Sequence, residues 1–374
     1  VSLSEPNDAA AETPVAAPVP RAPRLAHPLA DLVARIASRR RRYYEGRDAE
    51  GGRRGRQRLA RPVISVGNLA AGGSGKTPLV ATLAAMLAAE GERPAILTRG
   101  YGRTDAAPGV VVVSDGHRLL ADLARAGDEP LMLARALRGV GVFVAAERAL
   151  AGALAERRFG ATVHLLDDGF QHLQLARDVD LVVMGVEDAV DRVMPAGRLR
   201  EPLTALARAD ALLVTGATLA DARALAAQWG VAKAFSVVRT PAVPRLVEPW
   251  GGAPRLPRSA RVLALAGIAR PARFFDDVER AGWTVVDRVR FADHHPFSAR
   301  DVATIAARAR AVGAELVLTT EKDVMRLLPW RPLPMAVAWA PLSVTVEPAD
   351  DFALWLRWRL EECRRAGPAA LLPS

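Results

Sequence analysis

One segment limits the possible folds of this chain more than any other. It runs from PVISVGN through Leu69 into Ala70-Ala71-Gly72-Gly73-Ser74-Gly75-Lys76-Thr77 and on into PLVATLAAMLAAEG. A short β-branched strand, a glycine loop, Lys-Thr and a helical run follow in the order a phosphate-binding loop needs. The glycines let backbone N–H groups turn inward around phosphate oxygens, and the helix N-terminus adds its positive dipole end. Lys76 then reaches the terminal phosphates and Thr77 ligates Mg²⁺. The usual first glycine of such loops is replaced by Ala70. Only Lys76, Lys233 and Lys322 are lysines, against 48 arginines, so a lysine at the loop position is not an accident of composition.

Around this unit, valine- and leucine-rich runs (PAILTRG, GVFVAA, ATVHLLDD, VDLVVMGV, ALLVTGA) alternate with helical stretches, the pattern of a parallel sheet covered on both faces. The fold class is therefore α/β: a P-loop NTPase-like parallel sheet with helices on both faces, a smaller C-terminal α/β domain and an N-terminal amphipathic helix. The division expected is a leader at 1–24, an amphipathic basic segment at 25–60, a kinase core at 61–240, a Pro/Gly-rich hinge at 241–260 and the smaller domain at 261–374. Trp355 and Trp358 of the last helix are expected to dock it on the body of the protein. The lone Cys363 can form no internal bridge, which fits a reducing compartment. No run has the ~18 uncharged apolar residues of a membrane span.

The net charge of +10 alone would suggest a nucleic-acid partner, but most of it lies in one arm. Thirteen arginines fall between Arg21 and Arg61, and no aromatic residues interleave with basic ones as a single-strand binder requires. No nucleic-acid partner is expected. Within that arm Leu25, Leu29, Leu32, Val33 and Ile36 recur at helical spacing before Arg39 to Arg42, Tyr43 and Tyr44. Such a helix either lies in a membrane interface with its arginines on anionic lipids, or packs on the protein body.

ATVHLL ends in Asp167-Asp168, where such folds hold a metal, although a turn pair would read the same. The loops Arg99 to Arg103, Gly127-Asp128-Glu129-Pro130, Gly169 to His172 and Pro195 to Pro202 also fall near strand ends, where ligands of parallel sheets sit. By spacing alone, Asp128 reads as the N-cap of the helix it opens. Asp293-His294-His295 offers a base, a metal ligand or a polar turn. Thr320-Glu321-Lys322-Asp323 lacks the Asn and the spacing of a guanine-reading motif.

VGNLAAGGSGKTP, LTRGYGR, GDEP, DDGFQHLQLARDVDLVV, PAGRLREP, ALAGIARPARFF, FADHH and LTTEKD, in this order, resemble the tetraacyldisaccharide 4'-kinase family of lipid A biosynthesis. The resemblance implies an ATP- and Mg²⁺-dependent transfer of the γ-phosphoryl group to the 4'-hydroxyl of tetraacyldisaccharide 1-phosphate, giving lipid IVA. It implies a peripheral enzyme on the cytoplasmic face of the bacterial inner membrane. Asp128 matches the family's proposed base and His294 the residue that pairs with it, with Lys76 as the third catalytic residue. Asp167, Asp168, Glu129 and Glu201 match carboxylates around nucleotide and metal. Arg99 and Arg200 are candidates for phosphate charge, because a guanidinium fork suits phosphate oxygens. Arg198, where the family more often has Pro, is expected to add a local cation.

Overall fold

A computed structural model describes residues 28–49, 56–73, 75–105, 108–248 and 260–366; the expected leader, Ser74 and much of the hinge lie outside these. The larger sheet contains β1 (Val63–Gly67), β2 (Pro94–Thr98), β3 (Val111–Asp115), β4 (Gly141–Val144), β5 (Val163–Asp167), β6 (Val179–Gly185), β7 (Ala211–Thr215) and β8 (Ala234–Pro241). The smaller sheet contains β9 (Arg245–Leu246), β10 (Arg261–Ala266), β11 (Thr284–Arg290), β12 (Leu316–Thr320) and β13 (Val337–Ala340), and β14 (Leu342–Glu347) follows it in sequence.

The larger sheet has nine strands in the order β14-β8-β7-β6-β1-β5-β2-β4-β3, and the smaller has five in the order β11-β10-β12-β13-β9. β1 pairs in parallel with both β5 and β6, so its five residues are all buried. A strand enclosed on both edges and both faces calls for apolar residues throughout, and Val63, Ile64 and Val66 supply them with small Ser65 and Gly67 between and after. Helix α2 (Lys76–Ala89) lays Leu79, Val80, Leu83, Ala84 and Leu87 on the sheet. Each of the larger of these side chains contributes about 1.5–3 kcal/mol through burial.

The chain returns to the larger sheet after completing the smaller one. Residues 342–366 were expected in the smaller domain, yet β14 pairs antiparallel with β8, and the helix Ala349–Ala366 buries Phe352, Leu356 and Leu360 in the larger core. Phe352 meets Phe235 of β8 edge to face, with ring centres 5.0 Å apart. Trp355 packs against the same pair, whereas Trp358 is exposed. Conversely, β9 comes from the hinge and joins the smaller sheet. The chain thus crosses twice between the units, which fixes the smaller one over the C-terminal ends of β1 and β5.

Helix α1 (Pro28–Ala49) packs on the body of the protein along part of its surface. One side is anchored: buried Arg41 forms a fork with Glu201, with both contacts at 2.9 Å, donates to the Phe170 carbonyl and lies 4.3 Å from the Phe170 ring centre. The other side leaves Leu29, Leu32, Ile36 and Tyr43 exposed in one stripe. No helix among the described residues is long and apolar enough to cross a membrane.

Candidate active site

β1 ends at Gly67 and the chain turns through the glycine loop into α2, with Gly75 at the N-cap in the left-handed region (φ 86°). That conformation aims the first amides of α2 into a cavity of about 1210 Å³ between the two units. Lys76 Nζ donates to Asn68 Oδ1 at 2.8 Å and lies 3.3 Å from Asp168 Oδ1. The loop at 195–202 closes onto this turn by backbone hydrogen bonds, from Ala71 N to the Arg198 carbonyl and from Arg200 N to the Leu69 carbonyl, both 2.7 Å.

This zipper delivers Arg200, which donates both guanidinium nitrogens to Asp168 at 2.8 and 2.9 Å and also contacts Asn68. Burial pushes the Asp168 carboxyl up, but the Arg200 fork and the Lys76 charge outweigh it and hold the group well below the usual carboxylate range. The same fork keeps Arg200 charged despite burial. Asp168 and His294 are the non-glycine residues with positive φ among the described residues, at 56° and 58°, and both line the cavity. Strained backbone of this kind persists where the surrounding structure holds a side chain in a working position.

Asp167 is placed differently. Its Oδ2 accepts from the Thr77 hydroxyl at 3.3 Å, while its buried Oδ1 has no partner. Burial first, then the negative charge of Glu129, lift this carboxyl to about 7. An orphaned carboxylate oxygen beside a threonine hydroxyl and a triphosphate loop suits Mg²⁺, which takes one or two protein oxygens and completes its shell with phosphate and water. Among the described residues no group of three His, Cys, Asp or Glu could hold a metal without such help.

Asp128 opens the helix Asp128–Ala136, but Gly127 is its N-cap and the Asp128 side chain turns inward, so the capping role read from spacing does not hold. Its Oδ2 lies 3.0 Å from His294 Nδ1 and 3.4 Å from Arg326 Nε, while Oδ1 accepts from the Glu129 amide at 2.9 Å. Burial opposes ionisation, but the His294 hydrogen bond and the charges of Lys322 and Arg326 keep this carboxyl low. The His294 ring approaches so closely that a Cβ on Gly102 (φ 75°) would lie 3.1 Å from Nδ1, so the Gly-Tyr-Gly turn needs a glycine there.

Several expected residues have other partners. Glu201 pairs with Arg41 at 2.9 Å and does not line the cavity, while Glu129, which does, pairs through Oε1 with Lys322 Nζ at 3.0 Å. Arg198 is neutralised by Asp188 and Asp191, at 2.7 and 2.8 Å, and adds no net cation. Arg99 is exposed and leans on Tyr101, 5.3 Å from its ring centre; Tyr101 lines the cavity and Arg99 does not.

Sequence reasoning missed a cationic group. Arg148 is buried, with Nε unpartnered, and Arg99, Arg40 and Arg177 surround His172. Burial and these charges push the His172 imidazole down to about 3, and Arg99 likewise lowers Arg148. Arg177 is paired with Asp180, but no carboxylate among the described residues pairs with Arg40, Arg99 or Arg148. Arg99 and the Gly169 to His172 loop stand out in the sequence, but Arg40 and Arg148 arrive from remote segments and nothing local joins them to that loop.

Residues 22–361 match the family described as LpxK, tetraacyldisaccharide-1-P 4'-kinase. The tetraacyldisaccharide 4'-kinase of Geobacter metallireducens is 42% identical over 279 residues, covering 73% of this chain and 80% of that protein. That of Syntrophus aciditrophicus is 37% identical over 311 residues, covering 79% and 83%. The crystal structure of LpxK from Aquifex aeolicus in complex with ATP matches with a TM-score of 0.69 at 29% identity, over 89% of this chain and 98% of that one.

Proposed function

The chain belongs to the tetraacyldisaccharide-1-P 4'-kinase family, and on that premise we propose how its residues perform the reaction. The enzyme uses ATP to phosphorylate the 4'-hydroxyl of tetraacyldisaccharide 1-phosphate in lipid A biosynthesis. The loop 70–77 holds the triphosphate through its amides, with Lys76 on the outer phosphates. Thr77 and Asp167 would hold Mg²⁺, which would supply charge neutralisation at the β- and γ-phosphates. Arg200, fixed by Asp168, faces the same phosphates with a fork suited to their oxygens.

A sugar hydroxyl is a poor nucleophile at neutral pH, so positioning and charge compensation supply most of the acceleration. Asp128 accepts the hydroxyl proton as the new P–O bond forms. Its low basicity is compatible with this role, because proton loss accompanies a loose transition state and does not have to precede it. His294 orients the accepting carboxylate. Arg40, Arg99 and Arg148 receive the phosphate already present on the acceptor; Arg40 belongs to α1, whose stripe Leu29, Leu32, Ile36 and Tyr43 enters the lipid interface. The exposed Arg35, Arg39 and Arg42 of the same helix favour anionic head groups. This makes the enzyme peripheral, on the cytoplasmic face of the inner membrane.

The observation that carries the reading is that the Lys76 loop of the larger unit and His294 of the smaller one line one cavity, with His294 Nδ1 3.0 Å from Asp128 Oδ2 behind it. The test is incubation with γ-labelled ATP, Mg²⁺ and the tetraacylated disaccharide monophosphate in detergent. Label is expected in the lipid at the 4' position. ATP loss without lipid labelling would contradict the reading.

A further inference from the structure

Lys322, the second residue of the helix Glu321–Leu327, is one of the three lysines in the chain. Its ammonium lies 3.0 Å from Glu129 Oε1, 3.3 Å from Asp293 Oδ1 and 3.0 Å from His294 Nε2. An ammonium has three donors and no acceptor, so these contacts use all three, and the last needs a lone pair on Nε2. The proton of the neutral ring then sits on Nδ1, facing Asp128 Oδ2 at 3.0 Å. The opposite tautomer would set two lone pairs against each other at that distance, and an imidazolium would point an N–H at an ammonium.

We propose that Lys322 is a positioning residue that fixes His294 in its neutral Nδ1–H tautomer, so that the ring's one proton orients Asp128. This rests on the reading of Asp128 as the base. The other charges facing the pair are Asp293, 3.9 Å from Nε2, and Arg326, 3.4 Å from the same Asp128 oxygen. Asp293 alone would favour a proton on Nε2, which the Lys322 ammonium excludes. The Asp128 hydrogen bond holds His294 above the usual imidazole value against burial and the Lys322 charge; it is the ammonium 3.0 Å from Nε2 that leaves no place for a second ring proton. Lys322 also ties Glu129 of the larger unit to the 293–294 loop of the smaller one, so the same side chain that sets the ring proton holds the ring against Asp128.

The test uses the full-length enzyme labelled with ¹⁵N-histidine, whose long-range ¹H–¹⁵N correlations separate ring tautomers. His294 is assigned among the six histidines by the signals lost in His294→Gln. Wild-type His294 is expected as Nδ1–H at pH 8. Lys322→Met is expected to let Nε2 take a proton beside Asp293, losing the neutral Nδ1–H ring to imidazolium, and to lose about 10- to 100-fold in kcat, with KM for ATP within about twofold. Lys322→Arg, which keeps a cationic donor, is expected to retain the tautomer and recover most turnover. Wild-type His294 found as Nε2–H or as imidazolium would overturn the proposal whether or not any variant folds. So would a Met variant that keeps either the tautomer or wild-type turnover. If the tautomer is as stated while Asp128→Asn turns over normally, the base assignment fails and the tautomer assignment stands.

Discussion

Replacing Asp167 by Asn should stabilise the nucleotide-free enzyme while disabling it. The carboxyl is raised from 3.8 to about 7 by burial and by Glu129, so between roughly pH 4 and 7 the folded protein holds a proton that the unfolded chain has released. The folded state then binds more protons than the unfolded state, and the contribution of Asp167 to stability falls as pH rises through that window. Above it the full cost of ionisation stands, about 4 kcal/mol at about 1.36 kcal/mol per pH unit. Asn can still accept from the Thr77 hydroxyl but leaves a buried amide N–H₂ unpaired, a cost of about 1–3 kcal/mol. The net gain expected at pH 8 is about 1–3 kcal/mol, vanishing or reversing near pH 4. Urea denaturation of both proteins at the two pH values measures it. Turnover of Asp167→Asn should drop on the order of 100-fold, because the side chain would no longer bring a charged oxygen to Mg²⁺. A variant less stable than wild type at pH 8, or shifted equally at both pH values, would refute the reasoning.

Asp128→Asn should lower kcat by about 10²- to 10⁴-fold, with ATP affinity measured by calorimetry nearly unchanged. Arg41→Ala leaves Glu201 charged and buried without its partner and should cost about 3–5 kcal/mol in denaturation, with α1 released as seen by proteolysis. Arg148→Ala should raise KM for the lipid and not for ATP, and the penalty should disappear with an acceptor that lacks its phosphate.

The nucleotide half of the site was legible because its signals are local. A buried strand, glycines and Lys-Thr lie within about fifteen residues, and Asp167-Asp168 closes a strand whose apolar run announces it. What was not legible depends on partners far apart in the chain. That Glu201 pairs with Arg41, 160 residues away, nothing in its own loop indicates. Residues 342–366 read as part of the smaller unit because nothing in β14 itself indicates that its edge belongs with β8. Arg148 is unremarkable among 48 arginines, and only burial without a carboxylate sets it apart. Lys322 was within reach: the rarity of lysine that marked Lys76 applies to it equally, and its motif was noticed only for failing to read guanine.

The account depends most on where the triphosphate lies. A crystal structure with Mg²⁺ and a non-hydrolysable ATP analogue is expected to show the phosphates on the 70–77 loop amides, the cation on Thr77 and Asp167, and the γ-phosphate facing the Asp128 side of the cavity. A triphosphate bound outside that loop, or a γ-phosphate turned away from Asp128, would contradict it.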